Sequence, residues 1–179
     1  DGSNTDRLTP TQVNLGANNT AHSVTARGHT CALLTDGSVK CWGPNSYGEL
    51  GDGTTTSQNT PVDADTGRAT ARHVATGGYF TCAIQSWGEI KCWGRNDEGQ
   101  LGDGTGTNSS SPVTVALDAG ETAQAVVAGG AHACAVLTDG SVKCWGRNSS
   151  GQLGDGTTTQ RTSPVEVDLG ADKTVRSIA

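Results

Sequence analysis

Cys31-Ala32-Leu33-Leu34-Thr35-Asp36-Gly37-Ser38-Val39-Lys40-Cys41-Trp42-Gly43 returns almost letter for letter from Cys134 to Gly146, and a looser copy runs from Cys82 to Gly94. The first cysteine recurs at steps of 51 and 52 residues, from Cys31 to Cys82 to Cys134. That period exceeds the ~40–47 residues of helical-pair and WD repeats and lies near the ~50 of kelch-like propeller units. A second half follows each copy: Gly43-Pro44-Asn45-Ser46-Tyr47-Gly48-Glu49-Leu50-Gly51-Asp52-Gly53 matches Gly94 to Gly104 and Gly146 to Gly156. Behind it come a Thr/Ser-rich stretch, a Pro-Val pair (Pro61-Val62, Pro112-Val113, Pro164-Val165) and a short strand ending in alanine. Residues Asp1 to Ala26 align with this tail alone, as Asp155 to Ala179 do.

The chain therefore divides into a tail-only partial blade at 1–26 and three units at 27–77, 78–128 and 129–179. Each unit reads as four short strands: His29 to Leu34, Ser38 to Trp42, one near Val62 and one from Arg72 to Ala75 in the first. Four antiparallel strands per unit make a β-propeller blade, and the fold class is all-β. Glycine interrupts every stretch that could sustain a helical period.

Each cysteine pair is C-x9-C. A two-residue loop at Asp36-Gly37 would set Ala32 opposite Cys41 and send the two cysteines to opposite faces. A three-residue loop, Thr35-Asp36-Gly37 with Gly37 left-handed, puts Cys31 directly across from Cys41. Counting outward from Leu34 and Ser38 makes that pair a non-hydrogen-bonded one, where side chains come closest. The expected disulfides are Cys31–Cys41, Cys82–Cys92 and Cys134–Cys144, each worth roughly 2.5–3 kcal/mol in the chain-entropy model. Zinc needs closer pairs or four convergent ligands, and C-x9-C offers neither. Disulfides belong to oxidising compartments, so the expected location is extracellular, cell-surface or periplasmic.

Composition narrows the function. Twelve Lys and Arg are scattered among 18 Asp and Glu, net −6, without a run of either sign. A nucleic-acid binder needs clustered cations to displace counterions, so no nucleic-acid partner is expected. No segment approaches the ~18 apolar residues of a membrane-spanning helix, so no membrane insertion is expected. The chain opens at Asp1 without methionine, as a mature or excised piece of a longer protein would.

The pattern Gly-x-Asn-x-x-Gly-[Glu/Gln]-Leu-Gly at Gly43–Gly51, Gly94–Gly102 and Gly146–Gly154 resembles the signature of the regulator of chromosome condensation repeat family. The preceding Cys-Ala-x-Leu-Thr-Asp-Gly-Ser-Val-Lys-Cys-Trp-Gly looks like the first half of the same repeat, here in a secreted or surface variant of bacterial type with cysteine pairs. The resemblance covers essentially the whole chain. It implies a seven-bladed propeller, of which about three and a half blades are present. Members of such a family serve as exchange factors, parts of ubiquitin-transfer proteins, inhibitors of secreted enzymes and surface proteins, so fold does not assign function.

His29 and His132 precede the first cysteine by two, but the middle unit has Phe80 there, so these are packed strand residues, as His22 and His73 are repeat-position residues without a site. The Gly-Asp-Gly-Thr loops at Asp52, Asp103 and Asp155, with Asp1 beginning a fourth, offer one carboxylate each, too thin a shell for calcium. Trp42, Trp93 and Trp145 are expected to pack between blades. Trp87 replaces Asp36 and Asp139 at the hairpin tip and, with Tyr47, is a candidate partner contact. Asn18, Asn108 and Asn148 open Asn-x-Ser/Thr sequons and are candidate glycosylation sites. No nucleophile–histidine–acid set recurs, and no catalytic residue, metal or cofactor is expected.

The expected function is a non-catalytic extracytoplasmic binding or structural module contacting protein or glycan partners through blade loops. Alternatives are a filament subunit, with self-association completing a ring or extending a fibre, and an inhibitor of a secreted enzyme, presenting Trp87 and Tyr47 on one rim. A guanine-nucleotide exchange factor comes last. Intact mass without reductant should be six hydrogens below that of the six-cysteine thiol chain, with nothing alkylated. Six alkylated thiols would overturn both the staples and the compartment.

Overall fold

In a computed structural model the described residues are 1–67, 70–170 and 173–179. They form twelve strands: β1 (Ala21–Ala26), β2 (Thr30–Leu34), β3 (Val39–Gly43), β4 (Gln58–Asp63), β5 (Ala71–Thr76), β6 (Phe80–Gln85), β7 (Ile90–Gly94), β8 (Ser109–Thr114), β9 (Ala123–Ala128), β10 (His132–Leu137), β11 (Val142–Gly146) and β12 (Arg161–Glu166). These make three four-stranded sheets, β1-β2-β3-β4, β5-β6-β7-β8 and β9-β10-β11-β12, antiparallel throughout. The first strands β1, β5 and β9 lie against one another in succession, at the inner edge of the blades.

Sheets and sequence units are offset. Each sheet opens with the strand that closes the preceding sequence unit, so the sheets span 21–63, 71–114 and 123–166 rather than 27–77, 78–128 and 129–179. The tail-only residues supply β1 and also stand in for part of an earlier blade. The Gly2 amide donates to the Asn59 carbonyl at 3.1 Å, as Gly53 does to Ser110 and Gly104 to Thr162. At the other end the Val175 amide donates to Gly140, repeating Ala71 to Gly37 and Ala123 to Gly88.

The hairpins follow the expected register. Cys31 pairs Cys41, Cys82 pairs Cys92 and Cys134 pairs Cys144. Gly37 has φ 83°, and the Leu34 amide donates to the Ser38 carbonyl, closing a three-residue loop. The three disulfides form with Cα–Cα separations of 4.1, 4.1 and 4.0 Å, the close approach of a non-hydrogen-bonded pair.

The core is a set of sandwiches between successive sheets. Cys31, Leu33, Val39, Cys41 and Leu50 of the first sheet meet Val74, Ala83 and Trp93 of the second. Cys82, Ile84, Ile90 and Leu101 then meet Ala133, Ala135 and Trp145 of the third. Between sheets the Trp93 indole N–H donates to the Glu49 carbonyl at 3.0 Å and Trp145 to Gln100 at 2.9 Å. Both tryptophans are fully buried. Gly51 must be glycine here: at φ +76° a Cβ would stand 2.6 Å from the Trp93 indole nitrogen.

The signature asparagine holds each β3–β4 type of loop. Asn96 is fully buried; its side-chain amide donates among Asp103 Oδ1, Thr105 and the Thr107 carbonyl, and its Oδ1 accepts from the Leu101 amide at 2.9 Å. Asn45 and Asn148 repeat this. Asn96→Asp replaces a donor with oxygen facing Asp103 and two carbonyls, so it should cost at least ~3 kcal/mol and lower Tm by about 6–12 °C. Asn108→Asp keeps the acceptor that the Asn96 amide uses, and should shift Tm by under ~2 °C in the same melts.

Candidate functional site

Antiparallel alternation sorts the connections onto two faces. The β2–β3, β6–β7 and β10–β11 turns lie on one, the turn face. The β1–β2, β5–β6 and β9–β10 turns and the long loops entering β4, β8 and β12 lie on the other, the loop face. Trp87 sits on the turn face, 58% exposed. Tyr47 sits on the loop face, half-buried. The two candidate contacts are therefore on opposite faces, not on one rim, because Trp87 belongs to a β6–β7 turn and Tyr47 to a β3–β4 loop.

At the turn face, Asp36 Oδ1 accepts from the Ser38 amide and hydroxyl at 2.9 and 2.7 Å, and Asp139 does the same with Ser141. These bonds hold both carboxyls below the usual range. Trp87 cannot make them, so the middle hairpin presents an aromatic surface in place of a turn-stabilising carboxylate. Beneath it Gln85, at the position of Leu34 and Leu137, is fully buried with both amide atoms unpartnered among the described residues.

At the loop face, Tyr47 meets a second aromatic that the sequence did not single out. Its ring lies edge-on to Tyr79, centroids 5.4 Å apart. The Arg95 guanidinium covers both, 5.2 Å from Tyr47 and 5.8 Å from Tyr79, and is anchored by Asp97 at 2.5 Å. Tyr79 is 48% exposed. Residues 47, 79 and 95 occupy three different repeat positions, which is why comparing units cannot find the cluster.

The other candidates have settled roles. Asn18 and Asn108 are exposed, Asn18 in a left-handed conformation with φ 62°. Asn148 is a correction: it is fully buried and its amide is committed to Asp155, Thr157 and Thr159, so the folded protein cannot carry a glycan there. Asp52, Asp103 and Asp155 spend their Oδ1 atoms on Thr54, Thr105 and Thr157 of their own loops. Trp42, unlike Trp93 and Trp145, is half-buried and its indole meets no acceptor among the described residues.

His29 joins the first two sheets. The Thr81 hydroxyl donates to the Glu49 carbonyl at 2.8 Å, so its oxygen accepts from His29 Nε2 at 2.5 Å and the proton belongs on Nε2. His132 packs its ring on Gly129, where a Cβ would come within 2.2 Å of it, and Phe80 does the same on Gly77.

A family model described as "Regulator of chromosome condensation (RCC1) repeat" matches residues 36–84, 88–136 and 139–179, and a second so described matches 71–100 and 123–152. Human E3 ubiquitin-protein ligase HERC2 is 34% identical over 152 residues, 84% of this chain but 3% of HERC2. The Arabidopsis thaliana mitochondrial RCC1 domain-containing protein RUG3 is 30% identical over 158 residues, 84% of this chain and 36% of that protein. The crystal structure of Prp20p from Saccharomyces cerevisiae, a protein described with binding properties to Gsp1p and histones, superposes with TM-score 0.75 at 20% identity, covering 85% of this chain and 39% of that one. The chain thus spans about two fifths or less of these relatives. They are eukaryotic; the bacterial, secreted form expected from the cysteines finds support among them in no name, and rests on the cysteine pairs alone.

Burial pushes the His29 pKa from 6.5 down to about 4. Between those values the unfolded chain binds a proton that the folded chain refuses, so this contribution to stability is complete above about pH 6.5 and is lost as pH falls toward 4. Melts at neutral and acid pH should show that loss shrink by roughly 2–3 kcal/mol in His29→Phe, the residue used at Phe80. Unchanged acid sensitivity would remove His29 as its source.

Proposed function

The chain belongs to the regulator of chromosome condensation repeat family, and on that footing we propose that it is a non-catalytic protein-binding propeller module working in an oxidising, extracytoplasmic compartment. The observation that carries the binding reading is the contrast between frame and rim. Frame residues such as Asn96, Leu101 and Trp93 are buried and saturated with internal bonds. Trp87 stands exposed where the other units have Asp36 and Asp139, and Tyr79 where the third has Ala131 and the shorter β1–β2 turn of the first has no residue. The fold does not need large aromatics there, and exposed aromatics on rigid turns are what protein contacts draw upon. The compartment rests on the three buried cystines.

A second reading, end-to-end assembly, has its own observation. On the outer face of the first sheet Val24 is 60% exposed, where its counterparts Val74 and Val126 are 6% and 0%. With the Trp42 indole, which meets no acceptor among the described residues, this is the face against which another blade, of the same protein or of a second copy, would pack.

A photo-crosslinking amino acid placed at Trp87 or Tyr79 in the source organism should form adducts with a discrete protein, while one on β8 at Ser111 should not. Adducts only of the chain with itself, from position 24, would favour assembly; none from any rim position would sink the binding reading.

A further inference from the structure

The loop face carries a groove of about 380 Å³ between the loops of the second and third sheets, lined by Tyr79, Arg95, His132, Arg147, Ser149 and Gln152 among others, with no carboxylate in its wall. This is unexpected in a chain of net charge −6. Three arginines gather there. Arg95 forms the ridge with Tyr47 and Tyr79, and its Nε is buried with no hydrogen-bond partner among the described residues. Arg147 is exposed and touches only the Ser149 hydroxyl, Nε to Oγ 2.9 Å, leaving the fork of its guanidinium unused. Arg27 extends from the β1–β2 turn across to the third sheet, its terminal nitrogen 3.8 Å from where a Cβ on Gly130 would stand. Neither Arg27 nor Arg147 meets a carboxylate among the described residues. Burial, and then the Arg27 charge, lower the His132 pKa, so the imidazole adds an uncharged face near neutral pH.

None of this is demanded by the repeat. The position of Arg95 and Arg147 is Pro44 in the first unit, that of Tyr79 is Ala131 in the third and is missing from the shorter turn of the first, and that of Tyr47 is Glu98 and Ser150. Both walls of the groove come from loops of the second and third sheets.

We propose that the groove is a docking site for an extended acidic peptide segment of a protein partner, with Arg147 forking a carboxylate of the segment and the Tyr79 ring supporting its backbone and apolar groups. The proposal rests on the protein-binding reading above and names its partner's chemistry. A bidentate guanidinium–carboxylate pair supplies both direction and strength. A nucleic acid fits worse: it needs a continuous cationic track, whereas Lys40 and Lys143 lie toward the turn face, each already paired, with Asp63 and with Asp118 and Glu121.

Fluorescence anisotropy tests this on the full disulfide-bonded chain, with a labelled hexapeptide of alternating Asp and Glu and its Asn/Gln counterpart as probes. The acidic peptide should bind, more weakly as salt rises, and the neutral one should not. Arg147→Ser should weaken binding about tenfold or more and Arg147→Lys by less, with Tyr79→Ala as a second, independent loss. Trp87→Ser, on the opposite face, should bind as the parent does, and unchanged melting verifies each variant's fold. Equal binding of both peptides, or undiminished binding by Arg147→Ser and Tyr79→Ala, overturns the site. A twelve-nucleotide single strand that displaces the acidic peptide and binds tighter would replace it with a nucleic-acid site. Failure here with crosslinks still forming at Trp87 leaves the module a protein binder by another face, so the two readings fall separately.

Discussion

One hydrogen bond organises the molecule: the indole N–H of a blade's tryptophan reaching the backbone carbonyl of the Glu or Gln before the signature leucine of the previous blade. Trp93 to Glu49 and Trp145 to Gln100 are 3.0 and 2.9 Å. For this bond to form, the carbonyl must turn toward the next blade, which requires a tight left-handed turn. Gly48 and Gly51, at φ 84° and 76°, make it. The ring must also approach backbone directly, which a side chain at position 51 would forbid. The buried asparagine then holds the loop in that shape by taking the Leu50 amide on its oxygen, 2.9 Å away. Signature residues that look independent in the sequence are the parts of a single blade-to-blade latch.

The latch leaves little room for a large aliphatic core, and the composition shows it: 33% apolar residues with no methionine and one phenylalanine. Cystine fills part of the gap. The sulfur pairs sit in the middle of each sandwich, Cys31–Cys41 against the second sheet and Cys82–Cys92 against the third, with no exposure at those four cysteines. They act as core side chains and as crosslinks that restrict the unfolded chain. A frame secured in this way does not depend on its rim, which is where the units differ.

The frame is therefore legible in the amino-acid sequence, and the rim is not. Three copies in register exposed the strands, the three-residue turn at Gly37 and the cysteine pairing, because each is a local consequence of spacing. Sheet membership was not local: a strand's partner is decided by which neighbour it can pack against, and β5 closes the first sequence unit yet opens the second sheet. Asn148 looked like a glycan acceptor because a sequon takes no account of burial, although the identical placement of Asn45 and Asn96 in their repeats already made it a frame residue. Trp87 was found because it breaks a repeat position. Tyr79 breaks one too, but an aromatic beside Phe80 on a strand end reads as core until its 48% exposure is seen.

The departures concentrate in the middle unit, and the cost they impose is informative. Gln85 buries an amide with no partner among the described residues where its counterparts bury leucine, a loss of about 1–3 kcal/mol. Trp87 gives up the carboxylate bonds that stabilise the other two hairpin tips. The middle sheet is latched to the first through Trp93 and to the third through Trp145, and these bonds hold it against such costs. In this chain that sheet offers an aromatic tip to the turn face and the Tyr79–Arg95 ridge to the loop face, two unlike surfaces on one rigid support.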